Sequence, residues 1–90
     1  MQVIMCNPLQ FTLNTQIYLY NTDTNYTEII GNVTTNCLGT ELPRLAYLKE
    51  AETIILIGDN EYSRQIECEV KEEIAKQYAN DNITIIIQGE

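Results

Sequence analysis

The segment TIILIGDNEYSRQIECEVKEEIAKQYANDNITIIIQ, residues 53–88, decides the fold. It opens on Thr53-Ile-Ile-Leu-Ile, a short apolar run rich in β-branched residues that stops at Gly58-Asp-Asn, a group favouring turns. It closes on Ile83-Thr-Ile-Ile-Ile-Gln, a second such run, entered through Ala79-Asn-Asp-Asn. Between them Tyr62, Ile66, Val70, Ile74 and Tyr78 recur at every fourth position, which at about 100° per residue makes one slowly drifting apolar stripe. The segment therefore reads as strand, helix, strand. The unbroken apolar character of both strands predicts a parallel pair covered on two faces, and a crossover of this length should be right-handed. Asp59 or Asn60 can cap the helix start, Glu61 suits the positive end of its dipole, and Asn80 can end it. Glu67 with Lys71 and Glu72 with Lys76 have the spacing of helical ion pairs, worth about 0.2–0.5 kcal/mol each.

Upstream, Gln2 to Cys6 reads as a first strand ended by Asn7-Pro8, since proline offers no donor to a strand ladder. Leu9-Gln-Phe-Thr-Leu alternates and can re-enter the sheet. Gln16 to Asn21 and Tyr26 to Val33 are strands joined by the polar turn Thr22-Asp-Thr-Asn, an antiparallel hairpin. Tyr18 and Tyr20 share one face of it, so they are half-exposed unless a second layer covers them. Leu42, Leu45, Ala46 and Leu48 then give a short helix, with Thr40 as cap and Pro43 tolerated in the first turn, where no intrahelical N–H bond is lost.

The predicted fold is α/β: one mixed sheet of about five strands with two helices, in the order β-β-β-α-β-α-β, forming a single domain over residues 1–90. A three-stranded meander followed by parallel strands separated by helices is similar to the core of ribonuclease H-like and actin-like domains. The resemblance is one of topology, and function does not follow from it.

Composition narrows the chemistry. Thirteen acidic residues against five basic ones give a formal charge of −8, which opposes direct nucleic-acid binding through phosphate neutralisation and suits a protein partner with a basic surface. With no histidine in the chain, a Ser–His–Asp triad and a thiolate–imidazole pair are both impossible. Cys6, Cys37 and Cys68 are too widely spaced for a metal or redox motif. They read as reduced thiols, with Cys68 nearly opposite the apolar stripe and so exposed. No glycine-rich phosphate loop occurs. No cofactor or metal is expected. Met1-Gln-Val-Ile-Met-Cys has no basic region and Pro8 follows closely, so neither a signal peptide nor a membrane span is expected and the location should be cytoplasmic. Three Asn-x-Thr matches, at Asn25, Asn32 and Asn82, are chance products of an Asn- and Thr-rich chain. The abundance of Ile and Asn is that of an AT-rich coding sequence, as in low-GC bacteria and their phages.

Three groups of residues carry functional potential, of which the tyrosines Tyr18, Tyr20, Tyr26 and Tyr47 are ordinarily core or sheet-face packing. Likeness to a ribonuclease H-like nuclease implies several carboxylates converging on two metal ions, one of them on the first strand. Here that strand has none, and a strand-end site would rest on Asp59 and Glu61, with Glu28 and Glu41 as distant contributors. The remaining group is an acidic ridge, Glu67, Glu69, Glu72 and Glu73, together with Glu50, Glu52, Asp59 and Glu61. Such a ridge is ordinarily a solvated helix face; as a site it would imitate nucleic-acid phosphates and occupy a basic groove. The expected function is accordingly non-enzymatic: a small acidic interaction domain, of the kind a phage or mobile element uses as an inhibitor. A minimal metal-dependent nuclease around Asp59 and a self-assembling structural subunit are the alternatives. A homo-oligomer can form wherever an edge strand stays open, the hairpin being the expected place.

Overall fold

The computed structural model describes residues 1–78 and 82–89. The strands are β1 (Gln2–Cys6), β2 (Asn14–Asn21), β3 (Tyr26–Thr34), β4 (Thr53–Ile57) and β5 (Thr84–Gln88); the helices are α1 (Leu38–Lys49) and α2 (Glu61–Glu73). They occur in the predicted order. All five strands form one mixed sheet in the order β3-β2-β1-β4-β5. β1 pairs antiparallel with β2 and β2 with β3, whereas β1–β4 and β4–β5 are parallel.

This strand order corrects the expectation that β4 and β5 are covered on both faces. β3 runs parallel to β4, so the connections β3-α1-β4 and β4-α2-β5 are both parallel crossovers, and both move across the sheet in the same direction. Right-handed crossovers moving the same way place their helices on the same face. α1 and α2 accordingly pack against each other over one side of the sheet. Ile4, Cys6, Ile17, Leu19, Ile54 and Leu56 point to that side and meet Leu38, Leu42, Leu45 and Ala46 of α1 and Ile66 and Val70 of α2. Among the described residues no helix covers the opposite face.

The stripe of α2 is buried at Ile66, Val70 and Ile74. Its ends make ring contacts instead: Tyr62 meets Phe11 edge-on at 4.8 Å, and Tyr78 lies 5.4 Å from Tyr47. Past Glu73 the backbone widens into one π-helical turn, Ile74–Tyr78. The proposed stop at Asn80 lies outside the described residues. Of the two candidate caps, Asn60 is the one used; its Oδ1 accepts from the backbone N–H of Ser63 at 2.9 Å.

Two upstream expectations fail. Residues 9–13 do not rejoin the sheet: they turn, with Leu13 N–H donating to Gln10 at 3.0 Å, because Phe11 swings away to pack on Tyr62. α1 starts at Leu38, earlier than the cap assigned to Thr40 implies. Thr40 sits inside the helix with its hydroxyl donating to Cys37 O, and Pro43 lies beyond the first turn. Pro43 cannot donate an N–H, a cost met here by burial of Leu38, Leu42 and the proline ring itself. A short 3-10 turn, Thr35–Cys37, leads in. The buried Thr35 hydroxyl donates to Leu13 O at 2.9 Å and shares a 2.6 Å hydrogen bond with Thr15, which fixes that turn to the start of β2.

Hairpin register contains one irregularity. Ile17 pairs with Gly31 and Tyr18 with Ile29, so Ile30 is an extra, bulged residue. Gly31 lies under α1; a Cβ there would come within 3.3 Å of Ile17 Cδ1 and 3.6 Å of Leu45 Cδ1.

Candidate functional site

The carboxyl ends of β1 and β4 lie side by side, since Cys6 pairs with Leu56. Asn7 and Pro8 therefore emerge next to Gly58, Asp59 and Asn60. One bond ties the two loops together, Asn60 Nδ2 donating to Pro8 O at 3.4 Å while its Oδ1 caps α2, and Gly58 N–H donates to Gln88 O at the end of β5 at 2.7 Å. Gly58 adopts φ 107°, a conformation that favours glycine. Beneath them Ser63 is fully buried, its Oγ without a hydrogen-bond partner among the described residues.

Asp59 stands at this junction, but its carboxylate accepts from Arg64 at 2.7 Å, with both side chains largely in solvent. Glu61, in the first turn of α2, is exposed. The more distant carboxylates do not converge on them. Glu28 is on β3, opposite Leu19, three strand spacings or about 14 Å from β4. Glu41 accepts from Arg44 at 2.6 Å on α1, and that bond also raises the guanidinium pKa. Among the described residues no group of three or more Cys, Asp or Glu side chains is placed to hold a metal ion.

The acidic residues of α2 divide into two sets. At about 100° per residue, Glu69, Glu72 and Glu73 fall within one arc of about 100°, while Glu67 lies about 160° from Glu69 and about 120° from Glu73. Glu67 pairs with Lys71 at 3.7 Å. The other three line a groove of about 170 Å³ together with Lys76 and with Asn36, Gly39 and Thr40 from the start of α1. Glu69 is the innermost: Gln65 donates to it at 3.3 Å, and its side chain rests so closely on Gly39 that a Cβ there would lie 2.5 Å from Oε2. Its charge also lies near the N-terminal end of α1, where carboxylates are favoured.

Cys6 is buried between the sheet and the helices, and desolvation pushes its thiol up to about 12; Cys37 and Cys68 are exposed. Among the described residues no helix is long and apolar enough to cross a membrane.

Sequence reasoning treated Asn7-Pro8 only as a strand stop and gave Ser63 no place. Their proximity to Asn60 depends on β1 and β4 being parallel neighbours, which the local pattern around either strand does not reveal.

No family model and no curated protein matches the chain. Among solved structures it is similar to T. thermophilus RuvC in complex with Holliday junction substrate, with a TM-score of 0.57 and 7% identity. The match covers 99% of this chain and 64% of that one, so this chain spans under two thirds of its neighbour's length. Likeness at this identity establishes the fold, which is ribonuclease H-like, in agreement with the topology read from the sequence.

Proposed function

We propose that this chain is a non-catalytic ribonuclease H-like domain that binds a protein partner with a basic surface, in its finer form as an inhibitor carried by a phage or mobile element. The observation that carries this is the disposition of the carboxylates. At the strand ends Asp59 is engaged by Arg64, and Glu28 and Glu41 stand elsewhere. On α2, by contrast, Glu69, Glu72 and Glu73 gather at one groove, in a chain of formal charge −8. A concentration of one charge sign raises the encounter rate with an opposite surface and makes the complex salt-sensitive. Glu72 and Glu73 are the residues to reverse, because Glu69 also packs against Gly39. The test is capture of a stoichiometric partner from lysate at low salt. It should weaken by at least about tenfold as salt rises and again in a Glu72→Lys, Glu73→Lys double variant that keeps its fold. Capture indifferent to both changes removes this surface from consideration.

A second reading is supported by the likeness to RuvC bound to its junction substrate: a minimal metal-dependent nuclease built around Asp59. It requires Mg²⁺- or Mn²⁺-dependent cleavage of a four-way DNA junction that is abolished by Asp59→Asn. Purified chain that leaves the junction intact with either metal eliminates it.

A further inference from the structure

The face of the sheet away from the helices carries an apolar band in register across all five strands. Ile29, Tyr18, Met5, Ile55 and Ile86 are successive cross-strand partners. Its two ends are the most open, Ile29 at 57% and Ile86 at 43% exposure. The other strand positions on this face are Val, Ile, Tyr, Thr, Asn and Gln, and none is charged. In a chain with eighteen charged residues and a net charge of −8, that neutrality selects the occupant: this is a surface on which a second copy can approach without setting like charges together. The tyrosine hydroxyls present no obstacle to desolvation, because Tyr18 already donates to Gln16 at 2.7 Å and Tyr20 to Asn25 at 2.6 Å.

We infer that two copies stack their open sheet faces into a four-layer helix-sheet-sheet-helix dimer. Stacked sheets lie about 10 Å apart and each helix adds a layer of about 10 Å, so the acidic α2 helices end up about 30 Å from each other. At physiological ionic strength the Debye length is about 8 Å, and repulsion over that distance is screened. Pairing through the open edge of β5 would instead bring the α2 helices alongside one another, which the charge opposes. A face five strands wide and about five residues long projects to about 400 Å² per copy. The two faces together fall below the roughly 1,200 Å² of tight complexes, so the dimer is reversible and forms at micromolar or higher concentration.

This inference is independent of the acidic groove. Sedimentation equilibrium of the 90-residue chain over a concentration series should show the mass rising from 10.3 kDa toward twice that value. Raising salt should leave the association unchanged or strengthen it, the reverse of the behaviour expected for a basic partner. Ile29→Lys and Ile86→Lys should each move the midpoint to at least about tenfold higher concentration, whereas Leu48→Lys, on exposed α1 surface, should not. Circular dichroism at low concentration establishes that each variant is folded. A mass that stays monomeric throughout overturns the inference. So does a dimer indifferent to Ile29→Lys, since Ile29 lies on the strand furthest from β5 and edge pairing there would not sense it.

Discussion

On β4 the two faces of the sheet are built from the same kind of residue and have opposite fates. Ile54 and Leu56 are fully buried under the helices, while Ile55, between them in sequence and equally apolar, faces the uncovered side. Strand alternation sends neighbours to opposite faces, but nothing local in an isoleucine run says which face receives a layer. Covering is a property of topology: two crossovers advancing in the same direction with the same handedness stack both helices on one side.

The largest expected contrast comes from truncating each face in turn. Ile54→Ala leaves a cavity in the helix-covered core and should cost about 2–5 kcal/mol in denaturant unfolding. Ile29→Ala on the open face, measured at a concentration where the chain is monomeric, should stay within about 0.5 kcal/mol of the parent. Comparable losses at the two sites would mean that the open face is covered in solution even in the monomer.

A smaller effect probes how the helices share their face. Gly39→Ala places a methyl group against Glu69, with both Oε2 and Cβ under 3.0 Å away, and should cost about 1–3 kcal/mol through displacement of α2 from the start of α1. If the melting temperature is unmoved, the close approach of the helices there is not needed for the fold.

The last contrast is absent at neutral pH and appears only in alkali. Cys6 lies on the covered face, and burial lifts its thiol from 9.0 to about 12. The unfolded chain then releases this proton above pH 9 while the folded chain keeps it, so the folded state binds more protons and stability falls as pH rises from 9 toward 12. The slope attributable to this one group is about 1.4 kcal/mol per pH unit or less. Comparing Cys6→Ala with the parent across that window isolates the contribution of this thiol, and equal slopes would mean the thiol is not desolvated.

Part of the candidate site was legible in the sequence and part was not. Asp59 at a strand end, the start of α2 at Asn60 and the exposure of Cys68 follow from local pattern: a turn group after an apolar run, a capping side chain, and a position opposite the stripe. The acidic residues were identified by type, but their grouping was not. Which carboxylates share a groove depends on where α1 crosses α2, and that crossing sets Glu69, Glu72 and Glu73 beside Gly39 while Glu67 turns away to Lys71. The engagement of Asp59 by Arg64 likewise comes from side-chain geometry around the first turn of α2.

Sequence alone determined the order and type of the elements, because periods of 2 and about 3.6 in apolar residues are imposed by backbone geometry over a few residues. It also determined that an acidic chain without histidine is closed to imidazole-based catalysis. Tertiary structure alone decided the earlier start of α1, where burial of Leu38 and the anchoring of Thr35 outweigh the misfit of Pro43. It also decided which face of the sheet stays bare and which glutamates meet. Those outcomes arise from contacts between residues far apart in the chain, whose free energies no local pattern encodes.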